Sequence, residues 1–200
     1  MSSVSHIIIS KILFSDKELL KKYLKITKDV LVPCLKSQTN KNFIWGLIIL
    51  DEDVDFVREE LGIDFTPFNS SNEYVSYVKT NNIQIQTRHD IDDYMSEIYI
   101  EKIQEIYETN VDKDIFLIQF QPIRQVYSTK KEYPMAKYVD TGNSMFLSLC
   151  QKNANHHIFE RQHGQMYEIV DTIITIPEGY VKWIIHGNNI TCKRTNMYNN

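Results

Sequence analysis

The chain is poor in the residues that punctuate or staple a fold: six glycines, five prolines and three cysteines in 200 residues. No glycine-rich stretch resembles a phosphate-cradling loop, which argues against a P-loop nucleotide hydrolase. Cys34, Cys150 and Cys192 are odd in number, far apart and in no paired motif, so a disulfide scaffold is not indicated. A reducing, cytoplasmic setting with inert packing thiols is the expectation. No apolar run approaches the roughly 20 residues of a membrane span. "MSSVSHIIISKILF" lacks a basic leader and a small-residue cleavage site, and reads as a first strand rather than a signal peptide. A net charge of −4 gives no general attraction to nucleic acid or anionic membranes.

What is present is globular. Hydrophobic residues make up 42% and charged residues 24%, enough apolar material for a substantial core and too much for general disorder. "HIIIS", residues 6–10, suits a buried strand. From Asp16 to Ser37, apolar residues recur at helical spacing behind Asp16 as N-cap, with Pro33 dividing the helix near its end. "FIWGLIIL", residues 43–50, is a second apolar strand that stops at "DEDVD". Strand, helix and strand predict a βαβ unit and a parallel sheet covered on both faces. Further along, the spacing predicts a helix over 95–109, then a strand and a hairpin turn near Gln121–Pro122 within 114–128. "DTIITIPEGYVKWIIHGNNIT" gives a short strand, a turn, an apolar segment and a polar tip. No repeat, long linker or low-complexity segment marks a boundary, so 1–200 reads as one domain.

Ligands of open α/β sheets lie beyond the carboxyl ends of the strands. Asp51, Glu52 and Asp53 occupy one such end; Asp90, Asp92 and Asp93, after "IQIQTR", occupy another. Crowded carboxylates cost free energy unless a cation, hydrogen-bond donors or solvent offset it. In an extended segment Asp90 and Asp92 point to one side and Asp93 to the other. Two such oxygen ligands suit Mg²⁺ or Mn²⁺, with water and phosphate filling the remaining positions. The competing reading is a solvated turn in which Asp92 or Asp93 caps a helix starting near Tyr94. A calcium loop is excluded, because Tyr94 and Met95 stand at its fifth and sixth positions. His156, His157 and His163 lack zinc-site spacing and read as a surface cluster. Trp45 and Trp183 read as core or pocket-wall aromatics, with sugar stacking an option for Trp183.

Three segments occur in order: "ITKDVLVPCLKSQTNKNFIWGLIILDED", "TRHDIDDYMSEIYIEKIQ" and "VKWIIHGNNIT". Together they resemble the rhamnosyltransferase family of GT-A-type glycosyltransferases, and the likeness runs from about His6 to Thr191. The resemblance implies a GT-A-like α/β domain with a mixed, mostly parallel central sheet flanked by helices. Its nucleotide-sugar half would span about 1–110 and its acceptor half about 111–200. It also implies a UDP-, dTDP- or GDP-sugar donor, a glycan acceptor, an Asp-x-Asp site for Mn²⁺ or Mg²⁺, and no nucleic-acid partner.

By position, the resemblance makes Asp90 the first aspartate, near ribose or metal, and Asp92 the second, on metal and diphosphate. Asp93 would bind donor sugar or support the loop. Arg88 would pair with the diphosphate or donor sugar, or else orient the aspartates. Lys11 sits where the family tends to have Arg, and Asp51 would accept a hydrogen bond from the base. His186 would bind metal or a phosphate oxygen, with Asn188 and Asn189 on sugar or phosphate. The segment "GNSMFLSLCQK" resembles one that often ends in an acidic residue, yet Gln151 stands there. Asp140 is the substitute candidate for the catalytic base, with turn capping as its alternative. Two other classes compete: a non-catalytic nucleotide-sugar or glycan-binding protein, favoured by Gln151, and a metal-dependent nucleotidyltransferase.

Overall fold

A computed structural model describes residues 4–134, 146–161 and 163–186. The first βαβ unit forms as expected. Strand β1 is His6–Ile12, followed by helices α1 (Lys17–Asp29) and α2 (Leu31–Ser37), then strand β2 (Ile44–Ile49). Asp16 caps α1, its Oδ1 accepting the backbone N–H groups of Glu18 and Leu19. The helix divides at Val30, so Pro33 falls in the first turn of α2, where a missing N–H leaves no intrahelical bond unmade.

The next stretch carries elements that the sequence reading did not anticipate: α3 (Val54–Leu61), β3 (Thr66–Phe68) and α4 (Ser71–Thr80). Strand β4 is Ile85–Arg88, and the two-residue strand β5 is Tyr94–Met95. Helix α5 spans Tyr99–Glu108, later than the expected start, because Tyr94 and Met95 pair with another strand. Then come β6 (Ile115–Phe120), β7 (Ile123–Val126), β8 (Glu132–Pro134), β9 (Leu147–Gln151), β10 (Ile173–Ile176) and β11 (Val181–Ile185).

Seven strands build the central sheet in the order β10-β6-β9-β4-β1-β2-β3, antiparallel only where β9 pairs with β4 and β6. A second sheet has the order β5-β11-β7-β8. The expected hairpin at Gln121–Pro122 is therefore a crossing: β6 belongs to the central sheet and β7 to the second one. Side chains alternate across the central sheet. Ile8, Ile12, Trp45, Leu47 and Ile49 join one apolar cluster with α1, α2, α3 and α5. Ile7, Ile9 and Ile48 join a second cluster with Tyr74 and Val78 of α4. Cys34 and Cys150 are buried free thiols within this packing, and Cys192 lies outside the described residues. No described helix is long and apolar enough to cross a membrane.

Candidate functional site

Strands β4, β1 and β2 are parallel neighbours, so their carboxyl ends open on one edge of the sheet. Lys11 sits near the end of β1, Asp51 follows β2, and Arg88 ends β4 just before the acidic segment. The register pairs Ile9 with Arg88, and two-residue periodicity puts Lys11, Gln86 and Arg88 on the face that packs against α4.

The acidic segment is a turn, not an extended run. The Asp93 N–H donates to the Asp90 carbonyl at 3.3 Å, and Ile91 is buried in the core. The three carboxylates consequently go separate ways. Asp93 Oδ1 accepts the Ile184 N–H of β11 at 2.8 Å. Asp92 Oδ2 lies 2.7 Å from His186 Nε2, just past the end of β11. Asp90 stays half-buried within the electrostatic reach of Arg88 and Lys11. Helix capping, the competing reading, does not occur, because Ile98 precedes α5 and both later aspartates are spent on β11.

Burial raises the Asp90 carboxyl, with Asp92 adding to the rise, while Arg88 and Lys11 pull it down. Burial also pushes Asp93 well up, reinforced by Asp92 and Asp90 and opposed by the Ile184 N–H. On the cationic side, burial and then Arg88 lower the Lys11 ammonium, and Asp90 opposes them. Burial lowers the Arg88 guanidinium as well. Neither Lys11 nor Arg88 closes an ion pair or hydrogen bond with the described residues, so Arg88 does not grip the aspartates directly. Both cations instead rest against Phe159: Lys11 Nζ at 3.9 Å from the ring centroid, Arg88 Cζ at 5.3 Å. Phe159 escaped the sequence reading, since nothing in "HHIFER" distinguishes a ring under two cations from any loop aromatic.

At the neighbouring strand end, Asp53 is buried and takes Lys17 at 2.6 Å, while Asp51 is exposed. His89, between Arg88 and Asp90, is fully buried beside Tyr99 and Phe146, and burial holds its imidazole neutral, down to about 3. Trp45 is core, and Trp183 is half-buried under Arg124. Asp140, Asn188 and Asn189 lie outside the described residues.

Among the described residues no three His, Cys, Asp or Glu side chains gather as a metal-binding group. His186 is joined to Asp92 rather than arrayed beside it. The carboxylates that would hold a divalent cation are Asp90 and Asp92, which repel each other, and Asp92 is already engaged by His186. Mg²⁺ is commonly held by one or two carboxylates plus phosphate and water.

Gln151 is not at this edge. Strand β9 runs antiparallel to β4, with Leu147 beside Arg88 and Cys150 beside Ile85, so Gln151 sits at the opposite end of the sheet. Its side chain holds the His156 peptide group from both sides.

A seven-stranded mixed sheet with an acidic turn at the carboxyl ends of its parallel strands is a GT-A-like α/β fold. Residues 1–349 of S. aureus TarS, solved in complex with UDP-GlcNAc, superpose with a TM-score of 0.54 at 11% identity, over 93% of this chain and 60% of that one. S. aureus TarS in a longer form gives 0.52 at 10% identity, over 91% of this chain and 37% of that one. A cytidylyltransferase from Leptospira borgpetersenii gives 0.53 at 14% identity, over 89% of this chain and 77% of that one. The chain thus spans between 37% and 60% of the TarS chains named here. No protein family matches the chain, and no curated protein matches it in sequence.

Proposed function

We propose that the chain is the catalytic domain of a metal-dependent glycosyltransferase, moving a sugar, rhamnose or a hexose, from a nucleotide-sugar donor to a glycan hydroxyl. One observation carries the reading: Lys11 and Arg88 converge, without ion-pair partners among the described residues, on the same strand ends as Asp90 and Asp92. Two unpaired cations beside two repelling carboxylates favour a ligand that brings both an anion and a cation. A diphosphate with Mn²⁺ or Mg²⁺ is such a ligand. The TarS complex with UDP-GlcNAc supports a nucleotide-sugar partner by fold likeness.

Asp90 and Asp92 would hold the cation, which when bound offsets charge on the departing diphosphate. Asp93 and His186 tie the turn to β11 and set its orientation. Asp51 would accept a hydrogen bond from the base, and Asn188 and Asn189 would bind sugar or phosphate. In the reaction the bond from anomeric carbon to diphosphate oxygen breaks and a bond to the acceptor oxygen forms. The acceptor proton passes to a general base, for which Asp140 remains the candidate. A single displacement inverts the anomeric centre. Gln151 lies at the end of the sheet away from Asp90 and Asp92.

A nucleotidyltransferase is the second reading, favoured by the chain's 77% coverage of the cytidylyltransferase. Titration with UDP, GDP and dTDP, with and without Mn²⁺, tests the first. Metal-dependent binding of one of them, lost in Asp92→Ala, supports it; no binding by folded protein sinks it. Pyrophosphate release from a nucleoside triphosphate and a sugar phosphate would favour the second.

A further inference from the structure

Phe159 touches both cations of the edge, and its own place is fixed from beneath. Its ring centroid lies 5.6 Å from that of Tyr74, edge to face at 65°. Tyr74 is fully buried and donates its hydroxyl to Gln86 Oε1 at 2.8 Å. The same oxygen accepts the Ile158 N–H at 3.1 Å, and Gln86 Nε2 donates to the His156 carbonyl at 3.0 Å. Gln151 grips His156 again, accepting its N–H at 3.1 Å and donating to its carbonyl at 2.8 Å. Two buried glutamines thus anchor the loop after β9 onto the sheet. Gln86 precedes Arg88 by two residues on the same face of β4, so the anchor that fixes the loop also fixes the ring relative to the guanidinium.

Lys11 and Arg88 repel, and the carboxylate that acts on both of them, Asp90, is itself repelled by Asp92. A ring face attracts cations without neutralising them, unlike a carboxylate, and leaves their N–H donors open to a ligand. We propose that Phe159 is the positioning residue of the anion site, holding the Lys11 ammonium and Arg88 guanidinium side by side so that both reach one diphosphate. This rests on the diphosphate reading above.

The test is calorimetric titration of the whole chain with inorganic pyrophosphate, UDP and UMP in Mg²⁺. The proteins are wild type, Phe159→Leu, Phe159→Trp, Lys11→Met and the Phe159→Leu/Lys11→Met double variant. Phe159→Leu is expected to weaken pyrophosphate and UDP by about tenfold and UMP by less than about twofold. Phe159→Trp should restore both. The double variant should lose less than the sum of its parts, because the ring acts through the ammonium. A merely structural ring would lower all three affinities alike, leave the losses additive and overturn the proposal, as would diphosphate binding unchanged in Phe159→Leu. Pyrophosphate bound with this pattern but no nucleotide would keep the inference and remove the nucleotide-sugar reading. No binding of either by folded wild type would remove both.

Discussion

Asp92 and His186, 94 positions apart in sequence, meet side chain to side chain at 2.7 Å. Both are buried, and the imidazole also meets the ring of Tyr23 edge-on at 5.2 Å. The pair joins the acidic turn of the central sheet to the end of β11 in the second sheet. Asp92→Asn keeps the shape and a hydrogen bond to His186 but removes the charge. Its thermal midpoint should move by a few degrees at most, while Mn²⁺-dependent nucleotide affinity falls by at least about tenfold. His186→Ala instead removes a buried partner and should cost about 1–3 kcal/mol of folding stability in denaturant unfolding.

Gly46 sits in "FIWGLIIL" with its α-carbon against the α4 side of the sheet. A β-carbon there would come within 2.8 Å of the Phe68 ring and 3.0 Å of Ile9 Cδ1, with Ile7 Cδ1 at 3.1 Å. Gly46→Ala should destabilise the fold by about 1–3 kcal/mol through overpacking, read as a lower urea midpoint at unchanged slope. A neutral variant would mean that Phe68 moves aside freely.

His6 is buried at the start of β1, its Nε2 2.7 Å from Thr87 Oγ1, and burial lowers its imidazole to about 3. An unfolded histidine titrates near 6.5, so between these values the unfolded chain binds a proton that the folded chain does not. The stability from His6 is complete above about 6.5 and is lost as pH falls, by about 2 kcal/mol at pH 5. His89 adds a second loss of the same sign. Asp90 and Asp93, whose carboxyls are raised, act oppositely, gaining stability as pH falls. His6→Leu isolates the first effect, since Thr87 stays bonded to Ser148 and Gln104 to the Asn42 carbonyl. The stability difference between pH 7 and pH 5 should change by about 2 kcal/mol in that variant. An unchanged difference would place the proton uptake elsewhere.

The first βαβ unit was legible because its signals are local: a capping Asp16, helical spacing to Leu31, and strands apolar on both faces. The acidic cluster at a strand end was legible for the same reason. Its internal geometry was not. Alternation along an extended segment sends Asp90 and Asp92 together, but the 90–93 turn redirects them, and β5 takes the residues that helical spacing assigned to α5. These outcomes depend on contacts with β11, far along the chain, and no local pattern announces that pairing. Phe159 under two cations is of the same kind.

Gln151 shows how a position matched by resemblance gains or loses meaning from strand direction. Because β9 runs against β4, the amide stands at the end of the sheet away from Arg88 and Asp90, clasping the His156 peptide. Gln151→Glu would place an acid where the resemblance sought a base. A carboxylate can still accept the His156 N–H but cannot donate to its carbonyl, and Gln151 is 1% exposed, so the charge would be poorly solvated. The variant should therefore lose about 1–3 kcal/mol of stability, more at pH 8 than at pH 5, where protonation restores a donor. Sugar transfer, assayed as nucleoside diphosphate release, should not rise. A rise at unchanged stability would mean that the substrate is reached from the end of the sheet opposite Asp90, and the site would have to be moved there.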